Sequence, residues 1–168
     1  MKHWLEPDWD SKLNIINIPH DHFLKRNIKV LILDVDKTIL EGKDIVVTNK
    51  VKDWVSQAKL EMKLHLLSNN PSQQRIKSVA SQLDLTYTYA AAKPRKRAIL
   101  KVIEELKTDP SRIAIIGDRI FTDILAGNRI GLYTVLVQPI TSHGDSIKNN
   151  YFQKIEQNLA RFLGARNK

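Results

Sequence analysis

The 168-residue chain contains no cysteine. A disulfide scaffold, a thiolate nucleophile and a cysteine-based zinc site are therefore excluded. Long hydrophobic runs are also missing. The apolar stretches are short, as in Val30-Leu31-Ile32-Leu33 and Ala114-Ile115-Ile116, whereas a membrane-spanning helix needs about 20 apolar residues. The N-terminal run Met1-Lys2-His3-Trp4-Leu5-Glu6-Pro7-Asp8 lacks the apolar region of a signal peptide. No Gly-x-x-x-x-Gly-Lys loop occurs, which argues against ATP-driven chemistry. Histidine is scarce, and His3, His20, His22, His65 and His143 fit no metal or catalytic spacing, so structural or exposed roles are expected for them. There is no repeat, low-complexity tract or linker.

What remains is an ordinary globular balance, with 42% hydrophobic and 27% charged residues. The length fits a single domain over 1–168, with a core at about 29–138, an N-terminal flank at 1–28 and a C-terminal helix at about 146–163. Charge is the unusual quantity. Lys and Arg number 27 against 18 Asp and Glu, a net +9. The excess is uneven: residues 93–168 carry 14 basic and 7 acidic side chains, whereas residues 1–92 carry 13 and 11. Such a balance favours anionic partners, namely nucleic acid, phosphate-bearing ligands or a lipid surface; simple solubility explains it as well.

Short β-rich apolar runs alternate with helical stripes. Lys29–Asp34, Lys63–Leu67, Thr86–Tyr89, Arg112–Ile116 and Leu132–Val137 read as five strands. Val51, Trp54, Val55 and Ala58 recur at helical spacing, as do Ile76, Val79, Ala80 and Leu83, and Ile99, Val102, Ile103 and Leu106. Asn70-Pro71 and Pro94 read as helix starts, and Asp109-Pro110 as a break before the fourth strand. A shorter helix is expected from Phe121 to Asn128, with Gly131 just beyond it. A last helix is expected over 146–163, with Ile155, Leu159, Phe162 and Leu163 on one face. Strand–helix alternation predicts an α/β fold: a three-layer αβα, Rossmann-like arrangement around a five-stranded, mostly parallel sheet. Ligands in such sheets sit beyond the carboxyl ends of the strands.

Polar residues collect at those ends. The first strand runs into Asp34-Val35-Asp36-Lys37-Thr38, whose two carboxylates repel unless a cation lies between them. The second ends in Leu67-Ser68-Asn69-Asn70, at a helix start that favours an anion. Lys93 follows the third. The fourth ends in Gly117-Asp118, with Asp123 five residues on. Each of these signals is weak alone. Four acids, a lysine, a serine and an asparagine converging on one rim make a site for a divalent cation and a phosphoryl group. Oxygen donors without His or Cys suit Mg²⁺.

The ordered set Asp34-x-Asp36-x-Thr38, Ser68, Lys93 and Gly117-Asp118 with Asp123 resembles the four motifs of the haloacid dehalogenase (HAD) superfamily of phosphatases, over about Lys29 to Gln138. The resemblance implies Asp34 as a nucleophile that forms an aspartyl-phosphate. It implies Asp36 as general acid and then base. It implies Mg²⁺ held by Asp34, the Asp36 backbone carbonyl and Asp118, with phosphate bound by Ser68, Asn69 and Lys93. Thr38, Gly117 and Asp123 would support the site. Lys37 departs from the residues commonest at its position.

Members of this superfamily often carry a cap domain. The gap between Thr38 and Ser68 has room for a hairpin, one helix and a strand, and the gap between Ser68 and Lys93 for one helix and one strand. Neither accommodates a cap, so an open site is expected, suited to a phosphate displayed on something large. The stretch Gly117–Val137 closely resembles the capless branch, subfamily IIIA, that contains the phosphatidylglycerophosphate phosphatases of mitochondria, plastids and bacteria. That resemblance implies an anionic phospholipid substrate at a membrane surface, and a cytoplasmic protein attached peripherally to the inner face of a membrane. A soluble capless phosphatase acting on a nucleotide, sugar phosphate, protein or nucleic acid end is the alternative. A silent nucleic-acid-binding module is disfavoured by the intact acid set. Trp4, Leu5, Trp9, Leu13, Ile15, Ile16 and Ile18, with the basic last helix, suit a lipid surface. For most of these residues packing on the sheet is the expected role.

Overall fold

The computed structural model of the chain describes residues 3–42, 44–140 and 151–165. Six parallel strands form one sheet: β1 (Trp9–Asp10), β2 (Val30–Leu33), β3 (Lys63–Leu67), β4 (Thr86–Thr88), β5 (Ile113–Gly117) and β6 (Tyr133–Leu136), in the order β1-β6-β5-β2-β3-β4. The helices are α1 (Asp21–Leu24), α2 (Asn49–Ala58), α3 (Gln73–Leu83), α4 (Arg97–Leu106), α5 (Leu125–Asn128) and α6 (Tyr151–Phe162). The αβα reading holds, with one correction: among the described residues the strands number six. β1 is only two residues long and carries no alternation to read. It is held at the edge by Asp8, whose Oδ2 accepts from the backbone N–H and hydroxyl of Thr134 at 2.8 and 2.9 Å.

Strand alternation divides the core. Leu31, Leu33, Ala114, Ile116 and Val135 face one side, against Val51, Trp54 and Val55 of α2, Ile76 and Val79 of α3, and Ile15, Ile18 and Phe23 of the N-terminal segment. Val30, Ile32, Ile113 and Ile115 face the other, against Ile99 and Val102 of α4 and Ala126 of α5. The two central strands β2 and β5 are buried throughout, as a sheet covered on both faces requires. Most N-terminal apolar residues therefore belong to the core; Trp4 is exposed.

Several local expectations shift. Asn70-Pro71 does not open α3. The Asn70 Oδ1 accepts from the Ser72 N–H at 2.9 Å, and Ser72 is the cap, its Oγ accepting from Arg75 N. Pro94 precedes its helix, which begins at Arg97. No hairpin forms between Thr38 and α2 among the described residues; only a bridge between Asp36 and Leu40 is present. The predicted helix over 121–128 is instead a five-residue π-turn (Ile120–Ile124) running into α5. The expected start of the last helix, 146–150, lies outside the described residues, as does His143. In α6 the predicted facing is reversed. Ile155, Leu159, Phe162 and Leu163 are exposed, whereas Gln153, Glu156 and Ala160 are buried. Among the described residues no helix is long and apolar enough to cross a membrane.

Three of the histidines serve the framework. His20 and His22 pack on Trp54 and Trp9 respectively. His65 joins β3 to β4, its Nδ1 2.8 Å from Thr86 Oγ1 and its Nε2 2.9 Å from Thr88 Oγ1. Burial lowers the His65 pKa to about 4, against an ordinary 6.5. Between these two values the unfolded chain takes up a proton that the folded chain refuses, so stability falls as pH drops through this window, by at most about 1.4 kcal/mol per pH unit from this group. Above it the group contributes no pH dependence. A His65→Gln variant lacks this proton uptake. Urea titrations at pH 7 and pH 5 are expected to show the parent's stability advantage over the variant narrowing at the lower pH; an unchanged gap would contradict the assignment.

Candidate active site

The carboxyl ends of β2, β3 and β5 meet at a cleft of about 220 Å³ lined by Asp34, Asp36, Lys37, Asn69, Lys93, Asp118, Arg119 and Thr122. A larger groove of about 530 Å³ lies at the opposite strand ends, among Lys29, Lys63, Lys107 and Arg112. It holds no acid cluster and only the cleft gathers the predicted groups.

Lys93 is the hub. Its Nζ lies 2.5 Å from Asp34 Oδ1 and 2.6 Å from Asp123 Oδ1, and donates to Leu67 O at 2.9 Å. Burial alone would lower the lysine pKa, but the carboxylates of Asp123 and Asp34 outweigh it and hold the ammonium above its usual range. Burial pushes Asp123 upward, and the charge of Lys93 counteracts it. Thr38 Oγ1 donates to Asp34 Oδ2 at 3.3 Å, tying the loop after β2 to that carboxylate.

Gly117 is required by close approach. A Cβ there would sit 2.3 Å from the Asp123 carboxylate. The π-turn after β5 brings Asp123 back against the strand end, where its Oδ2 accepts from Arg119 N at 3.2 Å. One Asp123 oxygen is thus ion-paired with Lys93 and the other accepts from the Arg119 backbone.

Asp118 differs. It is buried, and its Oδ2 has no hydrogen-bond partner. Burial raises its pKa to about 8, with the nearby charges of Asp34 and Asp123 adding to the effect. Carboxylate oxygens of Asp34, Asp118 and Asp123 lie within 4.8 Å of one another. With all three ionised, the carboxylates and the Lys93 ammonium would sum to two negative charges, which a bound cation would offset. An orphaned carboxylate oxygen in an all-oxygen donor set with that charge fits a hard divalent cation.

The other predicted residues resolve into distinct positions. Ser68 is buried; its Oγ accepts from Asn70 N at 3.0 Å and lies 3.5 Å from Asp36 Oδ2. Asn69 was expected to bind phosphate. It lines the cleft, and its Nδ2 donates to Lys93 O at 3.0 Å while its Oδ1 accepts from Lys93 N at 2.7 Å. It positions Lys93.

Sequence reasoning missed Arg75, because a single basic residue in a first helical turn carries no pattern. The Ser72 cap places it there. Its Nη1 lies 2.8 Å from Asp36 Oδ1, and its Nη2 donates to Gly42 O and Asp44 O at 2.9 and 2.8 Å. One guanidinium thereby ties Asp36 to the loop that follows it. Gln153 and Glu156 of α6 were also missed. Gln153 Nε2 donates to Asp118 O at 3.0 Å and Val137 O at 2.9 Å. The Glu156 carboxylate accepts from Arg119 Nε at 2.9 Å and Ile120 N at 3.1 Å.

The family model described as HAD-hydrolase-like matches residues 90–151, and that described as a protein of unknown function (DUF2608) matches residues 15–119. The chain is 29% identical over 164 residues to the "Probable phosphatase YqeG" of Bacillus subtilis, covering 97% of this chain and 94% of the relative. It is 40% identical over 57 residues to the mitochondrial phosphatidylglycerophosphatase GEP4 of Saccharomyces cerevisiae; that match covers 34% of this chain and 29% of the yeast protein. The crystal structure of an uncharacterized protein from Listeria monocytogenes superposes with a TM-score of 0.57 at 19% identity, over 66% of this chain and 79% of the other, and shares the fold. With the DUF2608 model spanning most of the chain and the four strand-end motifs gathered around one cleft, the chain belongs to the DUF2608 family and to the haloacid dehalogenase-like hydrolases.

Proposed function

We propose that this HAD-family phosphatase is Mg²⁺-dependent and removes the terminal phosphate of phosphatidylglycerophosphate to leave phosphatidylglycerol. The observation that carries the metal-dependent part is the orphaned Oδ2 of Asp118 beside Asp34 in a buried site of net negative charge. Asp34 and Asp118 would hold the cation, with the Asp36 backbone carbonyl. When bound it would neutralise phosphoryl charge and steady the reacting oxygens.

The chain's own groups then divide the work. Asp34 attacks phosphorus in line; the P–O bond to the leaving group breaks, and an aspartyl-phosphate forms. Asp36 gives its proton to the departing alkoxide oxygen, then takes one from the water that hydrolyses the aspartyl-phosphate. Lys93 lines the cleft, and it and Ser68 would offer donors to the phosphoryl oxygens. The Arg75 guanidinium, 2.8 Å from Asp36 Oδ1, would hold that carboxyl in place for both half-reactions.

Two features support a lipid substrate. A cleft of about 220 Å³ holds a phosphoryl group and little else, so the remainder of the substrate lies outside it. The partial match to the yeast phosphatidylglycerophosphatase supports the leaving group.

Four outcomes are expected. Asp34→Asn should lower phosphate release by roughly three orders of magnitude or more while leaving the Lys93–Asp123 pair intact, so a thermal melt will show a folded protein. Chelation should abolish turnover and Mg²⁺ should restore it; full activity after exhaustive chelation would sink the metal assignment. In mixed micelles, phosphatidylglycerophosphate should be turned over faster than nucleotides or sugar phosphates, and the reverse ranking would overturn the substrate proposal. Arg75→Gln should loosen the general acid. Turnover of glycerol 3-phosphate, a poor leaving group, is expected to fall roughly ten- to a hundredfold. Turnover of p-nitrophenyl phosphate, which needs little protonation, should fall much less; equal losses would show that Arg75 only stabilises the fold.

A further inference from the structure

An amphipathic helix ordinarily buries its apolar stripe. α6 does the opposite. Ile155, Leu159, Phe162 and Leu163, spaced to lie along one side, are all exposed, with Phe162 at 86% and Ile155 at 62%. Its inward side carries Gln153, Glu156 and Ala160. The inversion has a local cause. The backbone of the metal-site loop needs hydrogen-bond partners at Asp118 O and Ile120 N, and Gln153 and Glu156 supply them. The small Ala160 packs with Leu5, Ile120, Ile124 and Leu136. Leu5 brings its neighbour Trp4, which is 62% exposed, to the same part of the surface, and Asn128 Nδ2 holds the Trp4 carbonyl at 2.7 Å.

We infer that this face, Trp4 together with Ile155, Leu159, Phe162 and Leu163, is a docking surface that inserts into an anionic bilayer. Several large exposed hydrophobic residues on one helix mark an interaction site. Three observations select a membrane as occupant. Tryptophan and phenylalanine beside leucine and isoleucine suit the boundary between headgroups and acyl chains. The exposed charges beside the stripe are positive: Lys154 and Arg161 are exposed, and the one acid of α6, Glu156, is buried against Arg119. A second copy of the chain would set these same cations against one another, whereas anionic headgroups would match them. Finally, α6 is bonded on its inner side to Asp118, Arg119 and Ile120, so docking would hold the cleft at a fixed height above the lipid. The inference rests on the lipid-substrate reading for its purpose, though not for its geometry.

The test is co-sedimentation of the full chain with vesicles of phosphatidylcholine alone and of equal parts phosphatidylcholine and phosphatidylglycerol. Binding to the mixed vesicles, weakened by salt, is expected, together with weak binding to phosphatidylcholine alone. The double variant Leu159→Ser/Phe162→Ser should lose about tenfold or more in vesicle affinity with an unchanged thermal midpoint. Leu60→Ser, at an exposed leucine elsewhere on the surface, should bind as the parent does. Failure of the parent to bind, or parent-like binding by the double variant, would overturn the inference. So would a parent dimer in light scattering that the double variant dissociates. The two readings fail separately. Hydrolysis of phosphatidylglycerophosphate in micelles without vesicle binding removes only the docking surface. Vesicle binding without that hydrolysis removes only the substrate and leaves the docking surface supported.

Discussion

The site depends on one ammonium group. Lys93 Nζ is buried between Asp34 and Asp123, and its charge counteracts the burial that pushes the Asp123 pKa upward. Removing one partner from a buried ion pair costs about 3–5 kcal/mol, because the remaining charge is left without water or a counter-ion. Everything around Lys93 serves to hold it. Asn69 grips its backbone on both sides, Leu67 O takes one of its protons, and Gly117 leaves the space through which Asp123 reaches it. The lysine thus fixes where Asp34 points and sets how much negative charge remains for a cation.

That arrangement divides the acids by environment. Asp123 has both oxygens occupied by the protein, Asp36 is paired with Arg75 nearer the surface, and Asp118 keeps one buried oxygen without a partner. Four aspartates therefore have unlike surroundings, and unlike surroundings are how one residue type performs different tasks. The parallel sheet makes this possible: β2, β3 and β5 end side by side, so residues far apart in the chain arrive at one rim.

Much of this was legible beforehand. Asp34, Asp36, Ser68, Lys93, Asp118 and Asp123 could be read because each follows a short apolar run, and such runs in an α/β chain end on a common edge. Arg75 and Asn69 were harder. Arg75 works through a guanidinium that reaches both Asp36 and the loop at Gly42 and Asp44, and nothing in its neighbours' spacing signals that reach. Asn69 was placed at the cleft correctly, but the partner of its amide is a backbone 24 residues away in sequence, which pattern cannot specify. β1 escaped because two residues have no periodicity, and the π-turn because it shares a helix's composition.

Local sequence determined the elements themselves. Hydrophobic spacing dictated α2, α3 and α4, β-rich runs dictated five strands, and the order of those elements dictated a parallel sheet with its chemistry at one edge. The helical period of α6 was equally plain. Which side of α6 turned inward was not, since periodicity defines a stripe without saying what will cover it. The tertiary structure decided that. The buried backbone groups at the ends of the Asp118–Ile120 loop required hydrogen bonds, Gln153 and Glu156 could supply them, and meeting that demand turned the apolar side of the helix outward. Leaving buried polar backbone groups unpaired would have cost more than leaving leucine and phenylalanine in contact with water or lipid.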